Sequence, residues 1–341
     1  METDLTDIAD VAAASRLSVV GTAKNCGKTT TLNALLEHRR RQQLPMPALC
    51  SVGIDGESTD ALLGTDKPPI RVTPDQWVVS AEQALRRSTA RFEYVRSMGH
   101  RTPLGEVFVC RVIAAGTAIL GGLRHLQDLR RAIELLEDLG IDDIWIDGAY
   151  GRLIGTHPDL ADGAVVATGA VVAESVDGVV DATTNLVSRL DRPAISDPLH
   201  RTAIEQAIAR DRVMVVDDEG DIDELHAESA LLGLDELDDL WEATTRAVAI
   251  PGLISDRVAE ELLALGRDHT LLVPDPTVLH IDDSLWRRLR NQWDIRSLRA
   301  ADIAGISYNP TSIDGRRLDS RLLRRDLGNI RPSTPVFNPL Q

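Results

Sequence analysis

The chain has 341 residues, 43% of them apolar and 3% aromatic, and its 53 acidic and 37 basic side chains give a net charge of −16. This length suits about two domains or one elaborated α/β domain, and the negative charge argues against nucleic acid and anionic membranes as partners. The three cysteines are scattered and lack Cys-x-x-Cys spacing, so neither a disulfide framework nor a zinc site is indicated.

The N-terminal segment carries no targeting pattern. Residues 1–10 are acidic rather than basic, and they lack the apolar run of a signal peptide. The longest apolar stretch, 107–122, is interrupted by Arg111 and is too short to span a bilayer. We therefore expect a cytoplasmic protein without a membrane partner, and we predict that residues 1–16 form a flexible N-terminus.

The first strongly patterned segment surrounds a glycine-flanked loop. The apolar run 17–21 predicts a buried strand, and three leucines at helical spacing predict a helix over 28–41. The loop between them contains two of the three lysines in the chain and reads Gly21-Thr22-Ala23-Lys24-Asn25-Cys26-Gly27-Lys28-Thr29. A strand, a glycine turn and a helix in this order are typical of a nucleotide phosphate site.

The side chains of this loop suit a magnesium-bound nucleoside triphosphate. The backbone N–H groups of Gly21–Thr30 are predicted to bind the phosphates, Lys28 to reach the β and γ phosphates as a catalytic residue, and the Thr29 hydroxyl to bind Mg²⁺. We therefore predict ATP and Mg²⁺ as cofactors. The spacing departs from the usual G-x-x-x-x-G-K-[ST], because Thr22 stands where that pattern has glycine.

Two acidic motifs follow later strands. The predicted strand 47–53 leads into Asp55 and Glu57, and Asp55 is predicted to orient water or to bind Mg²⁺, the alternative being an acidic turn without a role. The apolar run Ile144-Trp-Ile ends in Asp147 and a glycine, the form expected of a Walker B aspartate that holds Mg²⁺ directly or through water. A strand-terminal aspartate that caps the next turn is the alternative for Asp147.

The remaining pattern alternates β-type runs with helical runs, which predicts a mostly parallel sheet with helices on both faces. Further strands are predicted at 107–113, 143–147, 163–168, 212–216, 245–250, 270–273, 302–307 and 335–337, and further helices at 123–139, 223–241 and 254–265. The proline-marked stretch 56–106, which includes the third lysine, Lys67, is predicted to be an insertion or a mobile substrate-facing segment.

These elements predict an α/β fold with two main regions. Residues 17–220 are expected to form a P-loop NTPase domain, and residues 240–341 a smaller C-terminal α/β domain or extension. The acidic stretch 217–239 is the predicted boundary. The turn Asn309-Pro-Thr311, which follows a predicted strand, is a further candidate for a ligand contact.

The loop resembles those of dethiobiotin synthetase and the MinD-like ATPases. Five short motifs in chain order also resemble the reactivase subunit of the adenosylcobalamin-dependent lysine 5,6-aminomutase system, namely the loop, Ser51–Glu57, Thr102–Glu106, Ile146–Ala149 and Asn309–Thr311. This resemblance implies an ATPase that remodels a cobalamin-dependent mutase, or acts with a second reactivase subunit, so that damaged cobalamin is exchanged. It carries over Lys28, Thr29, Asp55 and Asp147 as nucleotide and Mg²⁺ residues. The Asp-x-His-x-x-Gly cobalamin motif is absent from the chain.

Three other functions are alternatives to a reactivase-like ATPase. A dethiobiotin synthetase-like kinase or ligase needs a substrate-binding lysine after the second strand, and 51–57 contains none. A GTP-binding adaptor of metallocofactor biosynthesis also uses a Lys-Asn-x-Gly-Lys-Thr loop, but the chain has no Asn-Lys-x-Asp guanine motif, which favours adenine. A nucleotide-binding scaffold without hydrolysis is the third alternative. Whether the chain forms a homodimer across its nucleotides is left open.

Overall fold

The computed structural model describes residues 2–53, 69–148, 153–224, 244–266 and 268–341. These fall into two compact units. The first unit consists of 1–184 and 302–341, and the second of 185–301.

The first unit is built on a nine-stranded sheet. Its strands, in spatial order, are β16 (Val336–Phe337), β15 (Ile303–Asn309), β9 (Gly163–Gly169), β1 (Arg16–Gly21), β8 (Ile144–Asp147), β2 (Ala48–Ser51), β4 (Trp77–Ala81), β6 (Gly105–Ala114) and β5 (Arg91–Thr102). A separate antiparallel pair joins β3 (Ile70–Val72) to β7 (Gly116–Ala118).

Helices accompany these strands in alternation along the chain. Those that lie wholly in the first unit are α1 (Glu2–Ala12), α2 (Lys28–Arg41), α3 (Glu82–Arg86), α4 (Leu126–Glu137) and α9 (Ser320–Gly328), with a short 3-10 helix at Leu153–Thr156. The helix α5 (Val176–Leu190) contains the boundary between the units. Among the described residues, we find no helix of the length and hydrophobicity that a membrane crossing requires.

The order of the strands places the glycine-flanked loop in the middle of the sheet. The seven strands from β16 to β4 are mutually parallel, whereas β6 and β5 continue the sheet as an antiparallel hairpin. β1 pairs with β9 on one side and with β8 on the other. Because parallel strands end at the same edge of a sheet, the segments after β1, β8, β2, β9 and β15 all lie at one edge, where ligands bind in open α/β sheets.

Side chains alternate between the two faces of this sheet, and each face buries a different helix layer. Leu17 and Val19 of β1 pack in one cluster with the leucines of α2 and with Val11 of α1. The opposite face, with Ile144 and Ile146 of β8, packs against the apolar side of α4. Each leucine removed from water in this way contributes about 1.5–3 kcal/mol to folding. Helices therefore cover both faces, as the sequence predicts.

The second unit repeats this layered plan on a smaller scale. Its sheet has the order β11 (Ile222–Glu224), β10 (Met214–Val216), β12 (Ala247–Ala249), β13 (His269–Val273) and β14 (Trp293–Ser297). Its helices are α6 (Pro198–Arg210), α7 (Asp256–Ala264) and α8 (Asp283–Gln292), with a 3-10 helix at Pro276–Val278. The core on one face includes Trp286 and Leu262, and that on the other includes Ile204 of α6.

The predicted division into domains differs from the structure. Residues 302–341, assigned to a C-terminal α/β region that starts at 240, belong to the first unit instead. The physical reason is β15, which pairs in parallel with β9 from Ile303 to Asn309 and so continues the main sheet. The predicted P-loop domain 17–220 likewise extends too far, since the second unit begins at residue 185.

Three local predictions also differ. Residues 1–16, predicted to be flexible, contain α1, whose Val11 and Ala12 are buried. The stretch 56–106, predicted to be an insertion or a mobile substrate-facing segment, contributes β4 to the main sheet beside β2, because Val78, Val79 and Ala81 are buried there. Residues 56–68 lie outside the described part of the chain. The sequence predicts a helix over 223–241, but residues 223 and 224 belong to the strand β11. The rest of that range lies outside the described residues.

Candidate functional site

The glycine-flanked loop joins the end of β1 to the first residue of α2. α2 begins at Lys28, and its first turn contains no acidic side chain. Gly27 has φ 104° and ψ 15° and offers no side-chain cap, and Asn25 has φ 58°. These left-handed conformations turn the chain sharply before the helix. The first N–H groups of α2 and the positive end of its dipole therefore face the edge of the sheet, an arrangement that favours an anion.

The loop folds back over the end of β1, and Gly21 makes this possible. A Cβ atom on Gly21 would lie 2.4 Å from the Cys26 Sγ and 3.0 Å from both Cγ and Cδ of Lys28. The methylene stem of Lys28 thus crosses directly above Gly21. Its Nζ donates a hydrogen bond to the carbonyl oxygen of Ala23, at 3.2 Å. The ammonium is consequently held against the backbone of the loop rather than extended into solvent.

Thr22, which stands where the usual pattern has glycine, joins the loop to the neighbouring strand β9. Its backbone N–H donates to Ala167 O at 3.1 Å, and its hydroxyl lies 3.0 Å from the Thr168 hydroxyl at the end of β9. The Thr168 hydroxyl is in turn 2.9 Å from that of Thr183 on α5, and both of these threonines are fully buried. Sequence reasoning missed Thr168 and Thr183, since neither belongs to a local motif.

The other loop residues differ in exposure. Lys24 and Asn25 are exposed, whereas Cys26 is 2% exposed and packs into the core below the loop. Thr29, the predicted Mg²⁺ ligand, is 3% exposed, and Thr30 is half-buried.

The first turn of α2 is fixed to the sheet through a buried hydroxyl pair. Thr31 places its hydroxyl 2.6 Å from that of Ser307 on β15, and both residues are buried. Because β15 lies two strands from β1, this contact holds the start of α2 across the sheet.

Asp147 lies beside the loop, at the end of the strand next to β1. It is paired in register with Val19, and the N–H of the following Gly148 donates to Val19 O at 2.9 Å. A Cβ atom on Gly148 would lie 2.6 Å from that same oxygen, so only glycine permits this close approach. Asp147 itself is 1% exposed. Asp147 thus lies at the end of the strand next to β1, and its predicted role as a Mg²⁺ ligand stays a prediction.

The Asp147 carboxylate affects the pKa of a neighbouring thiol. Burial raises the pKa of the Cys50 thiol on β2 to about 12, and the nearby Asp147 carboxylate adds to this rise. Ser51 donates from its hydroxyl to Asp147 O at 3.2 Å, and the N–H of Val52 donates to the same oxygen at 2.9 Å. The strand end that carries Asp147 is therefore bound on both sides, which fixes its position at the edge.

Several predicted residues lie outside the described part of the chain. These are Asp55, Glu57 and Lys67, and the end of the motif at Ala149. Within the described ranges, no group of three or more His, Cys, Asp and Glu side chains has the arrangement of a metal site. A Mg²⁺ ion bound through one carboxylate, one hydroxyl and phosphate oxygens does not require such a group.

Two other predicted motifs also lie at this edge. The turn after β15 is next to β9: the N–H of Ala170 donates to Asn309 O at 2.8 Å, and the Asn309 side-chain oxygen accepts from the N–H of Thr311 at 3.0 Å. The motif Thr102–Glu106 forms the turn of the β5–β6 hairpin, where the Thr102 hydroxyl donates to Gly105 O at 3.1 Å. This hairpin is separated from β1 by β8, β2 and β4.

Comparisons of the sequence with models of protein families and with curated proteins found no match.

Proposed function

We propose that the chain is a Mg²⁺-dependent P-loop nucleoside triphosphatase that prefers ATP. The observation that carries this proposal is the position of Lys28 at the start of α2. Its stem crosses Gly21, and its ammonium lies 3.2 Å from the carbonyl oxygen of Ala23 in the loop. A compact ammonium held in a concave loop of backbone N–H groups is the arrangement that binds phosphoryl oxygens.

The roles of the residues follow from their chemistry. The loop N–H groups hold the phosphates, Lys28 neutralises charge that develops on the transferred phosphoryl group, and the Thr29 hydroxyl and Asp147 hold Mg²⁺ directly or through water. Asp55 is proposed to orient the attacking water. The absence of an Asn-Lys-x-Asp sequence from the chain supports adenine over guanine as the base.

We further propose that hydrolysis remodels a partner enzyme of the cobalamin-dependent mutase class. This step is supported by the resemblance of the five motifs to a reactivase subunit, and by the absence of an Asp-x-His-x-x-Gly motif, which leaves cobalamin to the partner. The residues at the carboxyl edge of the sheet supply the nucleotide chemistry.

Turnover measurements test the function. ATP and GTP hydrolysis should be measured with Mg²⁺ for the wild type and Lys28→Ala, alone, with a cobalamin-dependent mutase, and with small organic acids as co-substrates. We expect basal ATP hydrolysis that depends on Lys28 and increases with the mutase. Transfer of the γ-phosphoryl group to an acid rather than to water would support the dethiobiotin synthetase-like alternative. A preference for GTP would support the metallocofactor adaptor. Hydrolysis equal in wild type and Lys28→Ala would overturn the proposal.

A further inference from the structure

A concavity lies along α2 and begins at Thr30, next to the predicted phosphate-binding loop. Its volume is 480 Å³, and it is enclosed by α2, by the segment 69–73 and by the C-terminal residues Pro339 and Leu340. We call it the α2 pocket. Its volume is within the range of about 300–1,000 Å³ that is typical of small-molecule sites.

The polar side of the α2 pocket is positively charged. Three arginines, Arg40, Arg41 and Arg71, line it together with one glutamate, Glu37, a balance of three positive charges against one negative. Glu37 forms ion pairs with both Arg40 and Arg41. Arg71 is exposed, and within the described ranges its guanidinium forms no ion pair or hydrogen bond. In a chain with a net charge of −16, this local excess of guanidinium groups favours an anion.

The other side of the α2 pocket is apolar. Met46 is partly buried against the core that contains Leu36, and both residues line the pocket. Leu340 is 62% exposed where it forms part of the wall. Large apolar side chains exposed next to a concave charged surface are stabilised when a ligand covers them. The combination suits a ligand with a charged head and an apolar body.

The wall that carries Arg71 is fixed to α2. The Asn33 side chain donates from Nδ2 to Pro69 O at 2.9 Å and accepts from the N–H of Arg71 at 3.1 Å. One side-chain amide thus binds two backbone groups of the neighbouring segment. The backbone of Arg71 is therefore held beside α2, so this wall of the pocket is formed before a ligand binds.

We propose that the α2 pocket binds an amphipathic organic acid, with its oxyanion at Arg71 and its alkyl chain against Leu36, Met46 and Leu340. The groups assigned to this ligand, Arg71, Leu36, Met46 and Leu340, are not among those assigned to the nucleotide, although Thr30 borders both sites. Its ligand is a small molecule with a carboxylate or phosphate head group.

Calorimetric titration with a matched series of ligands tests this proposal. The probes are octanoate, octyl phosphate, inorganic phosphate and, as the control of opposite charge, octylammonium. We expect octanoate and octyl phosphate to bind more tightly than inorganic phosphate, and octylammonium not to bind. Arg71→Ala should weaken both acids by about tenfold or more, because a charge-assisted hydrogen bond is lost. The matched control Arg87→Ala, an exposed arginine away from the pocket, should leave their affinity unchanged.

Two further variants separate this site from the phosphate loop. Leu340→Ser should weaken octyl phosphate but not inorganic phosphate, since it removes only apolar contact. Lys28→Ala should leave the binding of octanoate unchanged. The proposal is overturned if no acid in the series binds at millimolar concentration, if octylammonium binds as well as octanoate, or if binding is lost in Lys28→Ala and retained in Arg71→Ala.

Discussion

The N–H of Gly148 donates to the carbonyl oxygen of Val19 at 2.9 Å. This hydrogen bond joins the residue after β8 to β1, the strand that leads into the glycine-flanked loop. Because a Cβ atom on Gly148 would lie 2.6 Å from that oxygen, the approach depends on glycine. It brings the strand end with the buried Asp147 carboxylate beside the loop that carries Lys28. Lys28 and Asp147 are therefore placed at the same edge of the sheet.

Removal of the Lys28 ammonium should abolish most nucleotide turnover. We predict that Lys28→Ala lowers kcat for ATP by about 10²–10³-fold, because a preorganised positive group no longer stabilises the developing charge. Lys28→Arg should not restore turnover, since a planar guanidinium replaces a compact ammonium where the stem lies against Gly21. Steady-state kinetics with matched thermal unfolding curves separate this effect from loss of folding. Wild-type turnover in Lys28→Ala would contradict the prediction.

Asp147 should control the response to magnesium. We predict that Asp147→Asn raises the Mg²⁺ concentration needed for half-maximal turnover about tenfold or more, because a neutral amide binds a hard cation more weakly than a carboxylate. Asp142→Asn is the matched control, since Asp142 is exposed just before the same strand. Magnesium titrations of the rate give the comparison. Equal magnesium dependence in the two variants would count against Asp147 as a metal ligand.

The removal of the Asp147 charge should also be visible at Cys50. The Asp147 carboxylate contributes to the raised pKa of the Cys50 thiol, which is about 12. Asp147→Asn should lower that pKa, although burial, the larger cause, keeps it above the ordinary value. A pH titration of thiolate absorbance in a variant with Cys26 and Cys110 replaced by alanine measures the change. An unchanged Cys50 pKa in Asp147→Asn would show that the two groups do not interact.

A methyl group at Gly21 should disturb the loop from within. We predict that Gly21→Ala costs about 1–3 kcal/mol in the free energy of unfolding, because its Cβ would overlap the Cys26 Sγ. The double variant Gly21→Ala/Cys26→Ala removes that sulfur and should recover part of the loss. Gly328→Ala, where a Cβ meets nothing within 4 Å, is the control. Urea unfolding of the set provides the measurement, and an additive double variant would show that the sulfur is not the obstacle.

The strand, loop and helix around Lys28 were predictable because their signals are local. The apolar run of the strand, the glycines of the loop and the helical spacing of the leucines all occur within about 25 residues. By contrast, β5 is an edge strand with exposed residues on both faces, so it shows no alternation. α5 was missed because Gly178 and several β-branched residues lower its helix propensity.

The division between units could not be read from the sequence. Its basis is that β15 returns to pair with β9, across more than 130 residues of chain. Strand pairing at that separation depends on tertiary packing, and no local composition marks it. The hydrogen bonds that join the hydroxyls of Thr22, Thr168 and Thr183 could not be predicted for the same reason, because the three residues come from separate parts of the chain.

Arg39 should be one of the most important residues for stability. It is 5% exposed, forms an ion pair with Asp143, donates to Ala12 O at 2.7 Å and stacks on Trp145 at 4.7 Å. We predict that Arg39→Met lowers the free energy of unfolding by about 3–5 kcal/mol, since it leaves buried acceptors and a carboxylate unpaired. Arg86→Met, which removes an exposed helical ion pair, should cost less than about 1 kcal/mol. Similar losses in both variants would contradict this reading.

The same ion pair predicts a pH dependence. Burial raises the pKa of the Asp143 carboxyl, while the hydrogen bond and charge of Arg39 lower it. Since the folded pKa is raised, the carboxyl contributes stability that is complete below its ordinary pKa and is lost as pH rises through the folded value. Arg39→Met removes the opposing effects, so its stability should fall more steeply than that of Arg39→Met/Asp143→Asn as pH rises above the ordinary carboxyl pKa. Parallel curves from urea unfolding would exclude Asp143 as the cause.

The central claim is that the loop from Gly21 to Thr30 binds a nucleoside triphosphate with magnesium. Isothermal titration of the purified chain with ATP and GTP, in Mg²⁺ and again in excess chelator, tests it most directly. We predict saturable binding of one triphosphate per chain in Mg²⁺, weaker binding in chelator, and loss of binding in Lys28→Ala. The absence of binding heat for both nucleotides over a range of temperatures, with the protein folded, would contradict the account.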